Sequence, residues 1–128
     1  MAKVEFNPEA SVIIVPTELE NDGLSIYSYL VLDTGATYTM ISWEIAKRLG
    51  LKLERLRKTV RFNTASGEVV APLIKVDEIS VMRAKARNVE VIVHNLPVSA
   101  RVDGLLGLSF LKNFDIKIDF KNGVLELN

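Results

Sequence analysis

The sequence contains no cysteine. That absence removes disulfides and thiolate metal sites, although it does not fix the compartment. A single histidine, His94, gives histidine-based catalysis little to work with. Standing before Asn95-Leu96-Pro97, it is expected at the surface or half-buried. There is no excess charge of either sign, because 16 Lys and Arg balance 16 Asp and Glu. A nucleic-acid footprint needs a basic excess, so no nucleic-acid partner is expected. Basic residues do bunch at Lys52 to Arg61 and at Arg83 to Arg87, and these runs are expected to be solvated loops or hairpin tips. Long apolar runs are also missing. The longest early one, Val12 to Val15, stops at Pro16, far short of a bilayer span. Met1 to Pro8 has no apolar core of the kind a signal segment carries. The expectation is a soluble cytoplasmic protein with no membrane partner.

What is present suffices for a core. Hydrophobic residues make up 48% of the 128, and a chain of that length is expected to fold as one domain, 1–128, burying roughly two-thirds of its unfolded surface. Most of it reads as strand. Val4 and Phe6 alternate with polar neighbours in a short edge strand. Ser11 to Leu19 is β-rich, with Pro16 confining it to an edge or bulge. Glu20-Asn21-Asp22-Gly23 is a turn, and Ile26 to Leu32 is a buried strand. Lys58 to Thr64 and Glu68 to Val76 flank Ala65-Ser66-Gly67 as a hairpin. Ile79 to Met82 and Val89 to His94 form a second pair around the basic tip. Ile116 to Phe120 alternates and then turns through Asn122-Gly123 into Val124 to Leu127. Helices are few. Ser42 caps a short one that carries Glu44 early and Lys47 and Arg48 late, with Gly50 as its stop. Leu108 to Phe114 reads as another. So many strands favour a closed or nearly closed barrel.

The chemistry concentrates at Leu30 to Thr37. A buried strand delivers one carboxylate, Asp33, straight out of apolar surroundings, and Thr34-Gly35 lets the chain turn tightly behind it. Such a placement is costly unless the carboxylate is hydrogen-bonded or does chemistry. Asp-Thr-Gly by itself also fits an aspartate capping a turn. Its context is more specific. About seventy residues later comes Val102-Asp103-Gly104-Leu105-Leu106-Gly107, followed by the second helix. The polar hairpin tip Thr64-Ala65-Ser66-Gly67 lies between them.

That order resembles the retropepsin-like aspartic proteases, over roughly Tyr27 to Leu127. The resemblance implies an all-β, single-domain acid-protease barrel with one or two short helices and a flap hairpin. It implies an aspartic endopeptidase with Asp33 catalytic, Thr34 and Gly35 supporting it, and a peptide or protein substrate bound by Gly35, Ala36, Thr37, Ala65, Ser66 and Gly67. No metal and no cofactor are implied. One Asp-Thr-Gly per chain implies a homodimer with an Asp33 from each subunit, and Val124 to Leu127 is expected to offer unpaired backbone groups to its partner. Asp103, lacking a following Thr or Ser, reads as a turn residue, and Trp43 as core or interface. The sequence departs from the viral pattern in three places. Thr37 and Tyr38 stand where viral enzymes commonly carry acids, Leu108 stands where they often carry Arg, and the hairpin tip has one glycine, Gly67. These departures point to a cellular relative. A catalytically silent module of the same fold, binding extended peptides or serving as a dimeric scaffold, is the alternative. A phosphate-binding turn of the actin-like ATPase kind would need a longer chain with two α/β lobes.

Overall fold

The computed structural model describes residues 2–52, 58–97 and 100–128. The middle of the basic run Lys52 to Arg61, residues 53–57, lies outside them. Strand β1 (Ala2–Glu5) precedes the long ribbon β2 (Ile14–Asn21) and β3 (Leu24–Leu32). Their turn is the two residues Asp22-Gly23, with φ of 50° and 83°, the left-handed pair that a twisted hairpin demands. Then come β4 (Thr39–Ile41), α1 (Trp43–Arg48), β5 (Thr59–Thr64), β6 (Gly67–Val81) and β7 (Ala84–Val93). The remainder is β8 (Gly104–Leu106), α2 (Leu108–Leu111), β9 (Ile116–Asp119) and β10 (Val124–Leu127).

Six strands, in the order β2-β3-β8-β4-β7-β6, close into a barrel. The closure is the short β2–β6 pairing Glu18↔Ser80, Leu19↔Ile79, Glu20↔Glu78. Pro16 lies outside that stretch, where among the described residues β2 has only β3 beside it, so its missing N–H costs no ladder bond. Inward residues of the barrel (Val15, Leu19, Leu30, Ile41, Val76, Val91, Leu106) are buried in one core with Ile45 of α1, Leu49 at its C-terminal cap and Phe110 of α2. Burial of those helical residues explains why two such short helices persist, since neither is long enough to stand alone. Ser42 caps α1 as expected, its Oγ accepting from Ile45 N at 3.2 Å.

Several expectations are corrected. The runs expected at 68–76 and 79–82 belong to one strand, β6, of 15 residues, which ends at Val81. Its ladder with β7 skips only the Asp77 and Asn88 positions, where Asn88 has a φ of 53°. The basic run Arg83 to Arg87 is not a loop. Met82-Arg83 makes the turn, and Lys85 and Arg87 project from β7 beside Glu78, at 3.9 and 3.6 Å. Phe120 is outside β9 and 66% exposed, because Asp119 pairs with Val124 across a four-residue loop. Asp119 closes that loop by accepting from Asn122 N and Nδ2. Trp43 is 43% exposed, which overturns the core half of its reading and not the interface half. Strand β10 is central in a three-stranded sheet, paired to β1 on one side and β9 on the other. Its backbone groups are therefore engaged within the chain, contrary to the expectation that they were unpaired.

Candidate active site

Strand β3 runs parallel to β8, with Leu32 opposite Leu106, so both strands end at the same level. The chain leaving β3 must reach β4, on the far side of β8. Residues 33–38 therefore cross over the end of β8, where Gly107 sits. A Cβ on Gly107 would collide with the carbonyl oxygens of Tyr38 and Ala36. The glycine is a condition of the crossing.

The crossing loop is pinned on both sides. Asp33 N donates to Leu106 O at 3.0 Å, Leu108 N to Ala36 O at 2.8 Å, and Ser109 N to Thr37 O at 3.0 Å. Within the loop, Ala36 N donates to Asp33 O at 3.2 Å, and Gly35 N to Asp33 Oδ1 at 3.0 Å. Asp33 is half-buried, and Thr34, Gly35 and Thr37 are exposed. Among the described residues no further hydrogen bond reaches the Asp33 carboxylate. One carboxylate is thus held by a single backbone amide at the rim of a hydrophobic barrel, with an oxygen left for another group. A carboxylate so placed can accept a proton from water or share one with a second acid.

Asp33, Thr34, Gly35, Ala36 and Thr37 share this one loop. Ala65, Ser66 and Gly67 lie apart from it, at the end of the β5–β6 hairpin. The tip is shaped by Thr64, whose Oγ1 donates to Gly67 O and accepts from Ser66 N. No hydrogen bond among the described residues joins tip and loop. What connects them is an apolar floor. Met40, Ala71, Leu73 and Ile92 form a second buried cluster, and Val60 and Phe62 of the hairpin pack on it together with Tyr38, Leu96 and Leu105. Half-buried His94 meets Phe62 edge to face, ring centres 5.5 Å apart. Asp103 puts one carboxylate oxygen to structural use, Oδ2 accepting from Tyr29 N at 2.9 Å.

Two residues of this region escape a reading of the sequence. Thr39 is fully buried, and its Oγ1 accepts from Gly107 N at 3.1 Å and from Ser109 Oγ at 3.1 Å. Ser109 Oγ in turn accepts from Thr39 N at 2.8 Å. The only hint in the sequence is that each is a hydroxyl residue amid apolar neighbours next to a motif.

Comparison with known proteins agrees with this geometry. A family model described as aspartyl protease matches residues 15–110. The crystal structure of a retropepsin-like aspartic protease from Rickettsia conorii aligns with a TM-score of 0.74 at 26% identity, covering 98% of this chain and 88% of that one. An uncharacterized Sinorhizobium protein from the cobV 5′ region is 31% identical over 88 residues, 68% of this chain. A UPF0354 protein of Bacillus pumilus is 33% identical over 73 residues, 57% of this chain. The matched stretches make up 36% and 26% of those two relatives.

Proposed function

Because the chain belongs to the aspartyl protease family and has the retropepsin-like fold, we propose that it is an aspartic endopeptidase working as a homodimer. The observation that carries this reading is Asp33, held at the barrel rim by Gly35 N in a loop locked onto the end of β8. Each subunit supplies one Asp33. Two carboxylates about 3 Å apart repel by roughly 5 kcal/mol at an effective dielectric near 20. The pair therefore keeps one proton between them and titrates as a unit, as aspartic protease dyads do in general. The ionised oxygen takes a proton from a water molecule, which attacks the scissile carbonyl. The protonated partner stabilises the developing oxyanion and then supplies the proton for the leaving amine. Two carboxylates and water complete the chemistry, with no part for a metal or cofactor.

The exposed residues of the loop serve the substrate and the partner. Thr34 reaches the opposite subunit and keeps the two loops in register. The Gly35 carbonyl accepts from the substrate backbone, and Ala36 and Thr37 leave room beside it. Ala65, Ser66 and Gly67 fold over an extended peptide as a flap, adding strand-like hydrogen bonds. The test is cleavage of a diverse peptide library from acidic to neutral pH, by the wild-type protein and by Asp33→Asn. Cleavage lost in a folded, dimeric Asp33→Asn is the expected result. If the wild-type dimer cuts nothing, the protein is instead a binding module of the same fold.

A further inference from the structure

We propose that Ser109 is a positioning residue for Asp33, acting through the buried hydroxyl of Thr39. The inference rests on the protease reading above and adds to it a residue about seventy positions from the aspartate in sequence. Its basis is a closed ring of hydrogen bonds. Thr39 N donates to Ser109 Oγ, Ser109 Oγ donates to Thr39 Oγ1, and Thr39 Oγ1 accepts from Gly107 N. Thr39 and Gly107 are buried and Ser109 is half-buried, so the Thr39 amide and hydroxyl and the Gly107 amide have no water as a substitute partner.

The ring closes a longer cycle around the catalytic loop. One end of the 33–38 crossing is fixed where Asp33 N donates to Leu106 O, and its middle where Leu108 N and Ser109 N donate to the carbonyls of Ala36 and Thr37. The other end, at the start of β4, is held by the Thr39–Ser109–Gly107 ring. Strand β4 itself has only three residues, too few to fix the loop's exit by its ladder alone. Removing the Ser109 hydroxyl leaves the buried Thr39 amide without an acceptor and Thr39 Oγ1 without one of its donors. The exit then relaxes, and with it the angle at which the loop presents Asp33. The dyad needs two such carboxylates within hydrogen-bond distance, so a displacement of a few tenths of an ångström at each falls on the chemical step rather than on peptide binding.

The experiment compares wild type, Ser109→Ala, Ser109→Thr and Thr39→Val in steady-state cleavage across pH, with dimer content checked by sedimentation. Binding of a non-cleavable peptide bearing a tetrahedral hydroxyl at the scissile position is measured alongside. Expected for Ser109→Ala is a fall in kcat on the order of 10-fold with KM nearly unchanged. A shifted pH–rate profile and weaker binding of the tetrahedral peptide go with it, while the variant stays folded and dimeric. Ser109→Thr, which keeps the hydroxyl, restores kcat. Thr39→Val severs the ring from its other side and reproduces the Ser109→Ala effect should that variant fail to fold. Unchanged kcat and pH profile in a folded Ser109→Ala overturn the proposal and leave the protease reading intact. Unfolding of both hydroxyl-removing variants makes the ring a structural pin, which also overturns it. A wild-type protein that neither cuts nor binds the tetrahedral peptide defeats the protease reading, and the positioning role with it.

Discussion

Gly107 shows how sharply a single residue is fixed by the crossing of two chain segments. Any Cβ there meets the Tyr38 and Ala36 carbonyl oxygens, and both carbonyls belong to the loop that carries Asp33. Gly107→Ala is expected to cost about 2–3 kcal/mol, the usual scale of overpacking a rigid site. A urea midpoint close to that of wild type would show that the loop yields instead. Asp119 gives a pH-dependent case. The Asn122 side chain, and after it the Asn122 backbone N–H, hold the Asp119 carboxyl below the usual carboxylate range. A depressed folded-state pKa stabilises above the unfolded value, near 4, and the effect is lost as pH falls through the folded one. Asn122→Ala should therefore be less stable than wild type at neutral pH, and the gap should narrow as pH drops below about 4. A gap of constant size in denaturation across that window would exclude this origin. At this scale the sequence was legible where chemistry is local. Asp33-Thr34-Gly35 and Gly107 announce themselves by residue type and neighbours. Thr39 and Ser109 do not, because their significance is a contact between positions far apart in the chain.

At the level of elements, boundaries set by turn residues were readable and those set by tertiary partners were not. Asp22-Gly23 and the Ser42 cap follow from local rules and stand where expected. The polar pair Asp77-Glu78 reads as a break between two strands, yet β6 continues through it. The reason is tertiary. Asp77 Oδ2 accepts from Asp22 N at 2.8 Å, and Asp77 N donates to Asn21 Oδ1 at 3.1 Å, so this polar residue clamps the β2–β3 turn beside the barrel's closing seam. Glu78 likewise faces Lys85 and Arg87. Asp77→Ala is expected to destabilise the protein by about 1 kcal/mol and to speed amide exchange at Asp22, while leaving exchange at the α1 cap unchanged. Equal acceleration at both places would mean that the variant loosens the whole fold rather than the seam. The hairpin was also legible, but not its length, because β6 draws its second half from pairing with β2 and β7 rather than from β5.

For the whole molecule, the closed barrel was foreseeable from the number of strands. The use of the chain ends was not, since a terminal strand of alternating apolar residues looks the same whether its partner comes from its own chain or another. Here β10 is flanked by β1 and β9, and Leu125 and Leu127 are buried. Deleting Gly123 to Asn128 would strip those side chains from the core and split that sheet, so lost activity after such a deletion would report on folding as much as on assembly. Subunit mixing separates the two. If each site is built from an Asp33 of either subunit, a wild-type and Asp33→Asn mixture at equal amounts, allowed to exchange, contains about one quarter fully wild-type dimers. Activity per total protein should then fall to about one quarter of the pure wild-type value, against about one half if each chain works alone. The specific activity of wild type should also decline on dilution as dimers separate. A mixture that keeps one half of the activity, with no dependence on dilution, would place a complete site in a single chain. The barrel would then have to supply a second acid from its own sequence, and Asp103, next in line by position, has one carboxylate oxygen held by the Tyr29 amide and lacks the Thr-Gly turn that follows Asp33.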